Sequence, residues 1–315
     1  MDVPRFNRLA VVAVVSLAMS FLLASCSAGT PTPAHPTTSG SIAELAKQQL
    51  GHLAGVESVA STQTPNGDLR DTARRDPWNA ALWSIDLAVT MVGNASADEV
   101  ANAAERTHRF STTYATTGRW SALILAGGTA TKYAEDTSPL PAVQLEVFPD
   151  VWRSPAQAAR AILETKSVAG VNRVAVAADR PYVDVVKVTD LDSVYDRIQN
   201  LALFDQGGQF GTSDGRVRVS DVPEHLGDFG VHAIIALAVA YPDANVWVEA
   251  APHGWPVLYI DHVTASEAPA ITATLSAPEM SAANTGNYVV PFYVSVTGPN
   301  GRIDSQGTFG NAPAT

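Results

Sequence analysis

Val171 to Thr189 reads VNRVAVAADRPYVDVVKVT, and the fold class follows from how this stretch alternates. Val171 to Ala177 and Tyr182 to Thr189 each carry the period-two pattern of a strand, with turn chemistry at Asp179-Arg180-Pro181 between them. The stretch predicts a hairpin. From Thr189 onward Leu191, Val194, Tyr195 and Ile198 recur at helical spacing, so the hairpin runs directly into a helix. Upstream, Ala142 to Phe148 reads as a strand with Val143, Leu145 and Val147 on one face. Ser154-Pro155 then supplies an N-cap followed by proline in the first turn. That helix closes at Ala169-Gly170-Val171, an echo of Ala54-Gly55-Val56.

The same order is legible on both sides. On the N-terminal side, Ser41-Ile42-Ala43-Glu44 is a capping box opening a helix, with Val56 to Ser61 and Ala81 to Val92 as strands. Ser96-Ala97-Asp98-Glu99 opens a longer helix, and Ser121 to Ala126 is a strand ended by Gly127-Gly128. On the C-terminal side come a strand at Arg216 to Ser220, a helix from Asp221 through Tyr241, and strands at Asn245 to Ala250 and Val257 to Val263. Thr264-Ala265-Ser266-Glu267 is another capping box, and Pro291 to Thr297 is the last strand. The hairpin-to-helix junctions align as Asp86…Val89-Thr90, Asp184…Val188-Thr189 and Leu258…Val263-Thr264. This predicts an α+β protein of three degenerate β-α-β-β-α-β modules over 41–130, 140–215 and 216–310. Each module is similar to ferredoxin-like folds, with an antiparallel sheet and its helices on one face. Short α+β elements also produce some pseudo-repetition by chance, and the sequence alone leaves that reading open.

The N-terminus carries a different kind of signal. Arg5 and Arg8 precede sixteen uncharged residues, Leu9 to Ala24, which end at Leu23-Ala24-Ser25-Cys26. A basic segment, an apolar segment and small residues in that order make a secretory signal. Cys26 is the only cysteine of 315 residues. The tetrapeptide resembles the lipobox of bacterial lipoproteins. That resemblance implies diacylglyceryl transfer to the Cys26 thiol, cleavage between Ser25 and Cys26, and a palmitate-type anchor holding the chain at the extracytoplasmic face of the cell membrane. Ser27 to Gly40, SAGTPTPAHPTTSG, reads as an extended Pro/Thr/Ser tether completing 26–40. Buried acyl chain contributes about 0.8 kcal/mol per methylene, so such an anchor needs no basic surface to assist it.

Removing residues 1–25 takes 31 acidic and 20 basic residues to 30 and 18, a net charge of −12. That balance argues against nucleic acid and anionic lipid surfaces as partners. With no second cysteine there is no disulfide and no thiolate metal site. No P-loop, dinucleotide fingerprint or EF-hand spacing occurs, and no cofactor is expected.

Four groups could carry chemistry. Gly211-Thr212-Ser213-Asp214-Gly215 fits G-x-S-x-G, which marks a nucleophile elbow only between a strand and a helix. Arg216-Val217-Arg218-Val219 alternates as a strand, so a turn is expected and a serine hydrolase is the weakest reading. His225, His232, His253 and His262 lie near Glu224, Asp228 and Asp261. None of them makes an H-x-H or H-x-x-x-H pair, and scattered surface histidines explain them as well as a metal site does. The long loop Gln63 to Asn79 holds Arg70, Arg74, Arg75 and Trp78 among Asp68, Asp71 and Asp76. It reads equally as a binding loop or as a self-paired solvated one. Trp255, at a hairpin tip, reads as a contact anchor or as a ring folded over its own sheet. Asp190 and Asp192 complement a helix start.

These residues describe a membrane-anchored binding or interaction module without catalysis and with an envelope protein as partner. The alternative is a small-ligand or metal-binding lipoprotein assisting a transporter. Replacing Cys26 with Ala is expected to abolish lipid attachment and to leave an uncleaved precursor or a released form. Mass spectrometry of the membrane fraction checks this, and unchanged acylation in the variant contradicts it.

Overall fold

The computed structural model describes residues 39–65, 83–114, 119–130, 141–147, 154–177, 180–221, 226–249, 256–284, 289–298 and 301–311. The chain divides into two compact units, one formed by Met1–Ala126 with Val147–Ala156 and the other by Gly127–Glu146 with Gln157–Thr315.

The smaller unit starts with helix α1 (Ser39–Gly51), two residues before the expected cap at Ser41. Strands β1 (Val56–Pro65) and β2 (Trp83–Met91) follow. They pair antiparallel, with Val59 opposite Val89 and Ser61 opposite Leu87. Helix α2 (Ala97–Thr113) begins at the expected capping box. Glu99 Oε2 accepts the Ser96 backbone N–H at 2.7 Å, and the Ser96 hydroxyl oxygen accepts the Glu99 N–H at 3.3 Å. This reciprocal pair satisfies donors that the first helical turn otherwise leaves unpaired. The chain then crosses to β3 (Arg119–Thr129), which lies parallel to β2 from Ser84 opposite Arg119 to Thr90 opposite Leu125. Ile85, Leu87 and Val89 sit at alternate positions of β2 and are fully buried, as are Ala46 and Leu50 of α1 and Val100 and Ala104 of α2.

The larger unit repeats one step, a hairpin followed by a helix that carries the chain to a parallel neighbour. Its elements are β4 (Pro141–Val147), α3 (Pro155–Lys166), β5 (Arg173–Ala177), β6 (Arg180–Val185), α4 (Val188–Ile198), β7 (Gly208–Thr212), β8 (Val217–Asp221), α5 (Asp228–Ala240), β9 (Asn245–Glu249), β10 (Val257–Val263), α6 (Ala268–Ser276), β11 (Pro291–Gly298) and β12 (Gly301–Thr308). Strands β4 to β12 stand in the sheet in chain order. Hairpins β5–β6, β7–β8, β9–β10 and β11–β12 are antiparallel. The neighbours β4–β5, β6–β7, β8–β9 and β10–β11, each joined through a helix, are parallel.

This order corrects the expected fold. A ferredoxin-like module splits its β-α-β unit by inserting an antiparallel strand between the two parallel ones. Here each parallel pair is directly adjacent, so the sheet is mixed, not antiparallel. The modules expected over 140–215 and 216–310 are also continuous with each other. Gly208 lies opposite Asp221 and Phe210 opposite Val219, which makes one hairpin of the chain across 215 and 216. The helix expected from Asp221 starts only at Asp228, because the strand runs on through Asp221.

Alternation decides what each face of the larger sheet carries. Val183, Phe210, Val219, Val246, Ile260 and Val294 point to one side and are fully buried there. Tyr195 of α4 meets the Phe210 ring edge-on at 4.9 Å, and Phe204 stacks on Phe210 at 5.1 Å. Helix α5 packs beside α4 on that face, with Tyr195 also 5.4 Å from the His232 ring. Helix α6 lies on the same side, since the Thr272 hydroxyl is 3.1 Å from that of Ser305, which stands opposite Val294. Strands β6 and β8 run in opposite directions while α4 and α5 share a face. Their two crossovers therefore have opposite hands, and one of them departs from the right-handed rule for parallel connections.

Truncating Phe210 to Ala is expected to destabilise the larger unit by about 3–5 kcal/mol, the range for a buried aromatic lost from a close-packed core. Urea unfolding of the full chain measures it, and a change below about 1 kcal/mol contradicts the packing described.

Candidate functional site

The side of the larger sheet away from α4, α5 and α6 carries a row of side chains that crosses it strand by strand. Arg173 stands opposite Asp184, Asp184 beside Gly211, and Gly211 opposite Arg218. Arg218 is level with Trp247, Trp247 is opposite Tyr259, and Tyr259 is level with Tyr293. Neighbouring strands lie about 4.8 Å apart, so each member of such a row is within reach of the next. The three aromatics form a ladder. Trp247 and Tyr259 stack with centroids 5.8 Å apart and planes 22° from parallel, and Tyr259 and Tyr293 stack at 5.6 Å and 17°. Trp247 and Tyr259 are half-buried, and Tyr293 is 37% exposed. Arg218, half-buried, borders the ladder on its Trp247 side.

The other end of the row is buried and charged. Asp184 is 4% exposed and accepts a hydrogen bond from Asn172 Nδ2 at 2.7 Å. Burial pushes its pKa up to about 6, against the hydrogen bond from Asn172 and the charges of Arg173 and Lys166, which pull it down. Burial also raises the Tyr182 hydroxyl above the ordinary phenol range, with the Asp184 charge adding to it. That hydroxyl is therefore a neutral donor. It lies over Gly211, where an added Cβ would come within 3.5 Å of it and within 2.4 Å of the Val217 carbonyl oxygen. Only glycine lets β7 and β8 approach at this point. Arg173 Nη2 donates to Gln144 Oε1 at 2.9 Å, while its buried Nε has no acceptor. In the smaller unit Asp86, the residue aligned with Asp184 in the sequence, is likewise raised by burial, against a hydrogen bond from Ser121.

Among the residues singled out in the sequence, Ser213 lies in the β7–β8 turn. Both flanking elements are strands, which is not the setting of a nucleophile elbow. The turn is held by its own side chains. Asp214 accepts from the Thr212 hydroxyl and, at 2.6 Å, from Arg216 Nε. Burial raises the Asp214 pKa, but these hydrogen bonds outweigh it and the net shift is downward. His232 bridges α5 to α4, with Nδ1 2.7 Å from Asp192 and Nε2 3.4 Å from Asp196. Asp228 accepts from the Tyr195 hydroxyl at 3.2 Å, and Asp190 sits in the first turn of α4. His262 is exposed at a bulge in β10 with φ 59°, 3.7 Å from Asp261. Among the described residues no group of three or more His, Cys, Asp or Glu is placed to hold a metal ion. Ser25, Cys26, Arg70, Arg74, Arg75, Trp78, Glu224, His225, His253 and Trp255 lie outside the described residues. Among the described residues no helix is long and apolar enough to cross a membrane.

The smaller unit has a separate concavity. A groove of about 480 Å³ opens between α1 and α2, with Leu50 and Leu53 on one wall and Arg106, Arg109, Phe110 and Tyr114 on the other.

No protein-family model, curated protein or solved structure matches the chain.

The raised pKa of Asp184 has a defined sign in stability. A carboxyl whose folded pKa lies near 6 instead of 3.8 binds more protons folded than unfolded between those values, so its contribution falls as pH rises through that window. Asp184→Asn keeps an acceptor for Asn172 and removes the titration. Relative to the parent, the variant is expected to gain on the order of 2 kcal/mol between about pH 4 and 6 and to stay level above that. Urea unfolding across this range checks it, and a flat difference contradicts the burial of a charged Asp184.

Proposed function

We propose that the chain is a lipid-anchored, extracytoplasmic binding protein without catalysis, held in the cell membrane through Cys26 and engaging an envelope protein. The observation that carries this reading is the row Arg218–Trp247–Tyr259–Tyr293. Aromatic side chains and arginine dominate the binding energy of protein interfaces, because they bury large, rigid area and keep polar contacts at the rim. In this row they stand side by side on the face that α4, α5 and α6 leave free. The lipobox resemblance and the tether after it support the anchored, extracytoplasmic setting.

A small-ligand-binding lipoprotein assisting a transporter is the second reading, and the α1–α2 groove favours it. The G-x-S-x-G turn gives no support to a hydrolase, since it links two antiparallel strands.

Photo-crosslinking in the native membrane separates the binding faces. A benzoylphenylalanine at Tyr293, on the ladder, is expected to capture an envelope protein. The same group at Val239, 41% exposed on α5, is expected to capture none. Capture from position 239 alone, or from neither position, overturns the assignment of the surface.

A further inference from the structure

The groove between α1 and α2 combines an apolar floor with a cationic rim. Its floor is apolar, with Leu50 and Phe110 buried and Leu53 half-buried. Its rim is cationic. Arg106, Arg109, Phe110 and Tyr114 recur at helical spacing along α2, so both guanidinium stems rise from the helix face that also supplies the aromatic wall. Phe110 and Tyr114 form that wall as a tilted pair with centroids 4.8 Å apart. Arg109 forms a loose ion pair with Glu105 at 3.8 Å, with both side chains substantially solvated, so the pair contributes little and leaves the guanidinium open to a second carboxylate. Arg106 is exposed and makes no ion pair among the described residues.

We infer that this groove binds a single-chain anionic amphiphile, a free fatty acid, with its carboxylate on Arg106 and Arg109 and its chain along Leu50, Leu53 and Phe110. The volume of about 480 Å³ falls in the ~300–1,000 Å³ range of small-molecule sites. An occupant that matches both parts needs an apolar body and one anionic end. A free phosphate would leave the floor uncovered, and a hydrocarbon alone would leave the Arg106 charge unmatched and Arg109 with only the solvated Glu105 carboxylate. Guanidinium and carboxylate match in planar, two-point geometry. Charge also selects between a free amphiphile and an anionic bilayer. The chain has a net charge of −11, so its overall field repels a negatively charged membrane surface, while a single carboxylate inserted between two arginines is held by contact. This site is independent of the aromatic row and of any partner bound there.

The test uses the full chain in neutral detergent, labelled with laurate carrying a diazirine at its chain end, with peptide mapping by mass spectrometry. Labelling is expected within Gln49–Leu53 or Phe110–Tyr114, displaced by excess laurate. It should fall about tenfold in the Arg106→Ala/Arg109→Ala double variant, the loss expected for a charge-assisted contact. Both arginines are exposed, so circular dichroism should show the fold unchanged. The same diazirine on dodecanol should label these peptides far more weakly. Equal labelling by the alcohol, labelling that ignores the double substitution, or labelling spread over the chain overturns the proposal. Binding of phosphatidylglycerol vesicles that needs Arg106 and Arg109, with no laurate labelling, overturns it in favour of a membrane surface.

Discussion

The larger unit depends on a single constraint, the period of two along its strands. Because Val183, Phe210, Val219, Val246, Ile260 and Val294 all fall on one side, the helices that connect the strands have one apolar surface to cover. The Phe210 ring is the centre of that packing, touched by Tyr195 from α4 and by Phe204 from the turn after it. Tyr195 then passes the contact on to α5 through His232 and Asp228. A slip of one residue in any strand would exchange its faces, and in β8 it would put the half-exposed Arg218 under the helices. Burying an unpaired charge costs several kcal/mol, so register is held from both sides of the sheet.

The same alternation creates the row on the other face. Once the aliphatic positions are assigned to α4, α5 and α6, the intervening residues must stand opposite, and these are Arg218, Trp247, Tyr259 and Tyr293. Stacked aromatic pairs across strands contribute stability of their own, roughly 0.2–1 kcal/mol each, so the ladder serves the sheet whether or not anything binds it. Its exposed end at Tyr293 and its arginine border suit it to a partner as well. The carboxyl at the far end of the row, Asp184, and Asp86 in the smaller unit each lie in the second strand of an antiparallel pair, but Asp86 is mid-strand opposite Thr62 while Asp184 is one residue from the end of β6, opposite Arg173.

Much of this was legible in the sequence as local structure and little of it as arrangement. The capping box at Ser96 is determined by neighbours in the chain and formed as read, whereas the hairpin formed with Arg180 and Pro181 inside β6 instead of in the turn, and its second strand ends at Val185 with Val188 and Thr189 already in α4. Strand β7 was missed because Gly-Gln-Phe-Gly-Thr offers two glycines and one hydrophobic residue, a composition that reads as loop. Gly211 is there because Val217 and Tyr182 leave no room for a side chain, a reason that exists only once β7 and β8 are paired. The helix was expected to run from Asp221, but that residue closes β8 and the helix starts at Asp228, a boundary set by the pairing of β7 with β8 and not by local pattern. The ferredoxin-like order failed for the same reason. Which parallel strand lies next to which depends on the path of the connecting helix, and the alternation of β6 and β7 is identical in either order. The aromatic row was invisible as a row, since Trp247, Tyr259 and Tyr293 are brought level by register alone.

The central claim, that the chain works by binding through the Trp247–Tyr259–Tyr293 face, is tested most directly by hydroxyl-radical footprinting. The protein is oxidised in intact cells that produce it and again after purification, and modification is compared residue by residue. The account predicts that Tyr259 and Tyr293 are protected in the cell and become reactive on purification, while Phe229, 46% exposed on α5, reacts equally in both. Equal reactivity of Tyr293 in both states would contradict it.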